Sequence, residues 1–213
     1  MVRITEHNDW VVYCILGSVF LYIILLSVFQ RDANVKDFLM QKMEDASNLT
    51  PTWITVSVVR CIMAAVLISQ FIPVVPHAFS EIRVFGWELN KFGFTFITLM
   101  LFDILRMVFT ALYYASVGSA KNLKALTLLA SKYFFLESLV LLILSFVLYF
   151  YPVDLVQYFY GLLGLFAGSL FLKNMIYLFH AQPVLPEKWY YKFLYICTLQ
   201  IVPLLVLWKF LFY

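Results

Sequence analysis

Charged side chains occur inside apolar stretches of this sequence, where a charge is energetically costly. The stretch "TLMLFDILRMVF" contains Asp103 and Arg106, and three other apolar stretches contain Arg60, Glu137 and Lys173. A lone charge at the centre of a membrane-spanning helix costs about 2.5–3.5 kcal/mol, so such groups usually face the interior and pair. Asp103 and Arg106 are three residues apart and share one helix face. The sequence predicts an ion pair between them.

A wider cluster of polar groups is expected inside the membrane. Glu137 can meet either Arg60 or Lys173 across a helix bundle, and Lys173 can instead extend to the lipid headgroups. Three roles remain open: structural pairs that fix helix order or bind anionic headgroups, an ion or proton pathway through Asp103 and Glu137, or a docking site for a partner helix. The structural role is favoured. The predicted intramembrane polar cluster comprises Arg60, Asp103, Arg106, Glu137, Lys173 and Gln200.

The sequence contains no recognisable catalytic arrangement. His7 and His77 belong to one predicted side of the membrane and His180 to the other, so no histidine pair suits haem or zinc within the bilayer. His77 and Glu81 are one helical turn apart, but two groups make no metal site. No phosphate loop, nucleophile elbow or zinc-protease motif occurs. We predict no catalytic residue, metal or cofactor; a lipid-modifying enzyme, supported only by His77 and Glu81, ranks third among the functions considered.

Composition indicates the class of protein that must position these groups. Of 213 residues, 64% are hydrophobic and 13% are charged, and the mean hydropathy is +0.91. Soluble domains are roughly half apolar and about a quarter charged. The net charge of +3 comes from scattered basic residues, which argues against nucleic acid as a partner. The sequence predicts an integral membrane protein whose main partner is the lipid bilayer.

Apolar length and charged or proline-marked breaks predict the helices. A spanning helix needs about 20 mostly apolar residues to cross a hydrocarbon layer of roughly 30 Å. The predicted fold is all-α: a polytopic membrane protein that forms one transmembrane domain over residues 1–213, a bundle of about six transmembrane helices with a short interfacial helix in the first loop. The predicted spans are 10–29, 53–72, 92–115, 133–151, 155–179 and 191–210.

The first loop contains the pattern of a short amphipathic helix. Val35, Phe38, Leu39 and Met43 fall on one helical face, and Asn34 is suited to the N-cap position. We expect this helix to lie on the membrane surface.

Prolines predict interruptions at two further places. Pro73 and Pro76 end the second span, and the apolar loop 72–91 that contains them fits either an interfacial or a re-entrant segment. Pro203 lies within the last span, where it removes the hydrogen bond to the carbonyl of Leu199 and predicts a kink. Gln200 lies beside the backbone that this proline leaves unpaired, and a structural role for it is favoured.

The fifth span carries small residues at helical spacing. Gly161, Gly164 and Gly168 occur in "GLLGLFAGSL", and glycines at this spacing allow close approach of helix backbones. In a polytopic protein an internal helix contact is favoured over a dimer seam.

The distribution of basic residues predicts an orientation. Lysine and arginine are more numerous on the side that holds the first, third and fifth loops. Because basic residues mark the cytoplasmic side, both termini are expected to lie on the outer side.

The last span carries a sequence motif that resembles a known family. The string "FLYICTLQIVPLLVLWKF" is similar to a Tyr-x-Cys-x-x-Glu-x-x-Pro pattern followed by Lys in an uncharacterised membrane family of Bacteroidetes, known only as a domain of unknown function. Tyr195, Cys197, Pro203 and Lys209 match, whereas Gln200 stands where that family usually has Glu. The resemblance implies a bacterial inner (cytoplasmic) membrane protein and implies no activity or cofactor. In such a membrane the outer side, on which the basic residues place both termini, is the periplasm.

These patterns leave two functions open. The favoured one is a non-enzymatic scaffold or accessory subunit of a cell-envelope or secretion complex, with other envelope membrane proteins as partners. The alternative is a small transporter or channel that uses the intramembrane charges. No inverted repeat supports the alternative.

Overall fold

The computed structural model describes residues 9–30, 34–41, 48–72, 83–84, 87–88, 90–180, 184–186 and 188–212. Six helices in these segments are long and apolar enough to cross a membrane. The predicted all-α, multi-pass architecture is therefore confirmed.

Two connections between spanning helices are short, at residues 118–119 and 151–154. Each spanning segment is one α-helix except the first and the last, which each include a π-helical turn. The elements are α1 (Asp9–Ile24) with a π-turn (Leu25–Phe29), α2 (Val35–Met40), α3 (Leu49–Ile68), β1 (Arg83–Val84), β2 (Trp87–Glu88), α4 (Lys91–Val117), α5 (Ala120–Phe150), α6 (Leu155–Phe179), and the last span, which consists of α7 (Trp189–Ile196), a π-turn (Cys197–Ile201) and α8 (Val202–Phe212).

The start of α5 differs most from its predicted position. The helix begins at Ala120, whereas the apolar pattern predicts that the fourth span starts at residue 133. Lys124 and Lys132 interrupt the apolar pattern there without ending the helix. A helix that extends beyond the hydrocarbon layer can carry such residues, because their long side chains reach more polar surroundings.

α3 is the central helix of the bundle and α6 is the most peripheral. Within one apolar stretch of 18 residues in each helix, 56% of the residues are buried in α3, against 6% in α6. The main packing partner of α3 is α5, and α4 and α1 also pack against it. α6 makes few close backbone contacts, and its main ones are with α5.

The short helix in the first loop is present and is attached to the bundle. Phe38 is 1% exposed, and its ring centroid lies 5.4 Å from that of Phe135 on α5. Asn34 takes the predicted N-cap position without a side-chain hydrogen bond, and the burial of Phe38 helps to attach the helix to the bundle. Met43 lies outside the described residues.

Aromatic contacts show which helix ends lie together. The ring of Trp10, near the start of α1, lies 5.3 Å from Phe92 at the start of α4 and 5.8 Å from Tyr149 near the end of α5.

In the second loop, β1 and β2 pair antiparallel, with Arg83 opposite Glu88. Most of loop 72–91 lies outside the described residues, so the re-entrant alternative stays open.

The last span changes helix type just before Pro203. Residues Cys197–Ile201 form a π-helical turn between α7 and α8. Proline has no N–H to donate to the carbonyl of Leu199, and a π-turn is one of the ways in which a helix accommodates such a defect. Tyr195 and Gln200, on either side of the start of this turn, are both buried. The π-turn therefore lies where two polar side chains are buried inside the bundle.

Candidate functional site

Arg60 is the centre of the intramembrane polar cluster. It lies on α3 and forms a salt bridge with Asp103 of α4. Its Nη1 atom lies 3.5 Å from Oε2 of Glu137 on α5, and its guanidinium carbon lies 4.0 Å from the ring centroid of Phe134. One cation from the central helix therefore connects two carboxylates on two neighbouring helices.

The predicted ion pair between Asp103 and Arg106 is not the pairing that the structure shows. Asp103 is 4% exposed and pairs with Arg60 of another helix, whereas Arg106 reaches the last span. Side chains three residues apart on a helix are neighbours, but they point in directions that differ by about 60°. That difference is enough to send the two groups to different helices.

Each carboxylate has a further donor besides Arg60. The thiol of Cys61 donates to Oδ2 of Asp103 over 3.4 Å. The hydroxyl of Ser169, on α6, donates to Oε1 of Glu137 over 2.6 Å, and the hydroxyl of Tyr133 donates to the carbonyl of Ser169 over 2.6 Å. Buried carboxylates require such partners, and these contacts connect α6 to the cluster.

Arg106 is held by a neutral partner. Its guanidinium donates to Oε1 of Gln200 in the last π-turn, and Nε2 of Gln200 donates to the hydroxyl of Tyr195 over 3.0 Å. The side-chain amide of Gln200 therefore accepts a hydrogen bond from Arg106 and donates one to Tyr195. Tyr195 belongs to this network although it is not among the predicted members of the cluster.

Lys173 is buried beside aromatic rings. It is 3% exposed, so its side chain does not extend to the headgroups. Its Nζ atom lies 4.5 Å from the ring centroid of Phe134 and 5.6 Å from that of Tyr177. Within the part of the chain that the structure describes, Lys173 forms no salt bridge. Aromatic faces therefore provide its observed contacts.

A cavity of about 240 Å³ adjoins the polar cluster. Side chains of α3, α4, α5, α6 and α8 form its walls. Most of the lining is apolar, and the wall continues to Phe71, Phe159 and Phe212. The polar part of the lining consists of Arg60, Arg106, Tyr133, Glu137, Ser169 and Lys173.

A second, smaller cavity lies beside the same charges. Its volume is about 30 Å³. Arg106, Phe134 and Lys173 line both cavities, and the smaller one continues to Trp53 and Tyr195. These three shared side chains therefore separate two internal spaces.

The glycines of α6 do not make the predicted internal helix contact. Gly161, Gly164 and Gly168 are exposed, and a Cβ atom added at any of them would meet no atom within 4 Å. At 3.6 residues per turn they lie opposite Phe166 and Lys173, which line the cavity. The glycine face therefore points away from the bundle.

The structure gives no support to a metal centre in the described segments. No group of three or more His, Cys, Asp or Glu side chains there could hold a metal ion. His180 is exposed at the end of α6, and His7, His77 and Glu81 lie outside the described residues.

Comparison with known proteins identifies a family. A family model described as a domain of unknown function (DUF4271) matches residues 10–211. No curated protein and no solved structure matches the chain. Because the matched residues cover nearly the whole sequence, the chain belongs to the DUF4271 family.

Proposed function

We propose that the protein is a non-enzymatic scaffold or accessory subunit of a cell-envelope or secretion complex, and that α6 binds a transmembrane helix of a partner protein. The observation that carries this proposal is the outward face of α6 defined by Gly161, Gly164 and Gly168, which we call the glycine face. It is exposed along three helical positions at which close backbone packing is possible.

The glycine face differs from an ordinary lipid-facing surface. Large apolar side chains such as Tyr160, Phe171 and Leu172 are also exposed on α6, as contact with lipid requires. Lipid tails are as apolar as leucine, so helices in a membrane associate through close packing and hydrogen bonds. Small residues allow that packing. A groove of glycines between exposed large side chains therefore suits a partner helix.

Leucine at the glycine face is expected to release the partner without unfolding the protein. We expect Gly164→Leu and Gly168→Leu each to lower recovery of co-purifying membrane proteins by about tenfold, which corresponds to about 1.4 kcal/mol of association energy. The fold should persist because a Cβ at either position meets no neighbour within 4 Å. The measurement is mild crosslinking in native membranes, affinity purification of the tagged protein and quantitative mass spectrometry against an untagged control.

Gly17→Leu is the matched control for these variants. Gly17 is an exposed helical glycine on α1, and a Cβ there also meets nothing within 4 Å. Partner recovery should be unchanged in this variant. Equal recovery from the α6 variants and the unmodified protein, or an equal loss in Gly17→Leu, would contradict the proposal. Recovery of the tagged protein alone, with efficient crosslinking shown by a control complex, would also contradict it.

A small transporter or channel is the second candidate function. The observation that favours it is the pair of cavities separated by Arg106, Phe134 and Lys173. In this case Glu137→Gln should abolish ion or proton flux in proteoliposomes while folding is kept, because the side chain keeps its shape but loses its charge. A scaffold predicts no flux above that of protein-free vesicles in either form.

We also propose an inner-membrane location with both termini in the periplasm. The support is the excess of basic residues on the side of the odd-numbered loops. In a cysteine-free background, a membrane-impermeant maleimide added to intact cells should label Tyr151→Cys but not Lys124→Cys. Both positions are exposed, and the two lie at opposite ends of α5. The reverse labelling pattern would refute this orientation.

A further inference from the structure

We infer that the larger cavity binds an anionic amphiphile, a carboxylate or phosphate group on a single apolar chain, with its head at Arg106 and Lys173. This inference goes beyond the scaffold function, because the cavity and the glycine face lie on opposite sides of α6.

The charges around the cavity leave cations available for an anion. Arg60 engages both acidic residues of the cluster, Asp103 and Glu137. Arg106 donates to the neutral Gln200, and Lys173, whose Nζ atom lies over the rings of Phe134 and Tyr177, forms no salt bridge within the described segments. Five charged groups therefore carry an excess of one positive charge. An anion at Arg106 and Lys173 would supply the missing partner.

The excess positive charge lies at a buried site, where an unpaired charge is energetically costly. Lys173 is 3% exposed, and the Nε atom of Arg60 is a buried donor without a hydrogen-bond partner. An unpaired buried charge or donor destabilises a protein, whereas charge-assisted hydrogen bonds to an anion are stronger than neutral ones. The polar end of the cavity therefore presents donors and few free acceptors.

The remaining walls suit a hydrocarbon chain. They are formed by side chains such as Leu99, Leu141 and Leu162, and they end among Phe71 and Phe159. Arg106 lies fifteen residues after the start of α4 at Lys91, about 22 Å along the helix. Lys173 lies six residues before the end of α6 at Phe179, about 9 Å along the helix. The cationic end is thus nearer to the ends of α4 and α6 than to their starts, and the chain would run from there along α6 toward its first turns.

The test uses the full-length protein purified in a non-ionic detergent. Equilibrium binding is measured for palmitate and hexadecyl phosphate, with hexadecanol and acetate as ligands that lack the charge or the chain. We expect palmitate, hexadecyl phosphate or both to bind at least about tenfold more tightly than hexadecanol, and acetate to show no saturable binding. The stronger of the two long-chain anions identifies the head group.

Variants connect the binding to the cavity. Lys173→Met and Arg106→Gln should each weaken binding of the long-chain anion by about tenfold or more. Lys209→Met is the matched control, because Lys209 is exposed on α8 and does not line the cavity; it should leave binding unchanged. Ala167→Phe, which fills the apolar part of the cavity and keeps every charge, should also weaken binding.

Several outcomes would overturn this inference. They are equal affinity for palmitate, hexadecyl phosphate and hexadecanol, no saturable binding of either anion, or unchanged binding in both Lys173→Met and Arg106→Gln. Lys173→Met is expected to fold because it breaks no salt bridge or hydrogen bond of the described residues. If it does not, Ala167→Phe decides, and unchanged binding in that variant places the ligand elsewhere. Gly168→Leu should bind the anion normally, which separates this inference from the proposed partner contact.

Discussion

Replacement of Arg60 by methionine is expected to destabilise the protein more than any other single change in the polar cluster. The substitution leaves two buried carboxylates, Asp103 and Glu137, without the cation that they share. Removal of one partner from a buried ion pair costs about 3–5 kcal/mol. We expect a loss of that order in the free energy of unfolding, measured by circular dichroism during titration of the purified protein with a denaturing detergent in mixed micelles.

Two companion variants separate lost charge from lost packing. Arg60→Lys keeps a cation but has fewer donors, so its loss should be smaller than that of Arg60→Met. The triple variant Arg60→Met, Asp103→Asn, Glu137→Gln removes the two acidic charges as well and should recover most of the lost stability. If the triple variant is less stable than Arg60→Met alone, the carboxylates are not held by Arg60 in the way described.

Substitutions of Gln200 are expected to act in opposite directions. Gln200→Leu removes the acceptor of Arg106 and the donor to Tyr195, which leaves the half-buried Arg106 cation without this hydrogen bond and should cost about 1–3 kcal/mol. Gln200→Glu converts the neutral contact into an ion pair with Arg106 and balances the excess positive charge. It should raise the free energy of unfolding above that of the unmodified protein.

The same detergent titration measures both Gln200 variants. Gln200→Glu also bears on the anion site, because a carboxylate beside Arg106 competes with an incoming anion. We expect this variant to be more stable and to bind palmitate more weakly. A Gln200→Glu protein that is no more stable than Gln200→Leu would show that Arg106 does not depend on this position.

Much of the fold follows from the length of the apolar stretches. Six helices follow because a helix must present about 20 apolar residues to cross a bilayer, and this number is a property of local sequence. α5 begins before the predicted fourth span because Lys124 and Lys132 interrupt the apolar pattern without interrupting the helix. The charged residues indicate where α5 leaves the hydrocarbon layer. The backbone hydrogen bonds of the helix continue beyond that point.

The site is harder to predict than the fold. Its charged members are recognisable because each is costly inside an apolar stretch. Their pairing is not, since the contact between Arg60 and Asp103 depends on how α3 and α4 face each other. The sequence does not single out Ser169 and Cys61 as site residues, because small polar residues are common in such helices. Tyr195 does carry a signal, as part of the motif that resembles the family pattern.

The glycines of α6 show a further limit of sequence patterns. Their spacing correctly indicates a surface that permits close approach, but it does not indicate on which side of the helix the rest of the bundle lies. The cavity-lining residues Phe166 and Lys173 face inward, and Gly164 and Gly168 face outward. α6 therefore forms the wall between an internal cavity and the proposed external docking surface.

Site-specific photocrosslinking from α6 tests the proposed partner contact most directly. A photoreactive amino acid replaces Phe171, which flanks the glycine face and is 64% exposed, or Ile143 on α5, which is 61% exposed. On irradiation of cells, position 171 is predicted to give one or a few discrete protein adducts that Gly168→Leu abolishes, and position 143 is predicted to give none. Lipid adducts alone at position 171, or the same protein adducts from both positions, would contradict the proposal.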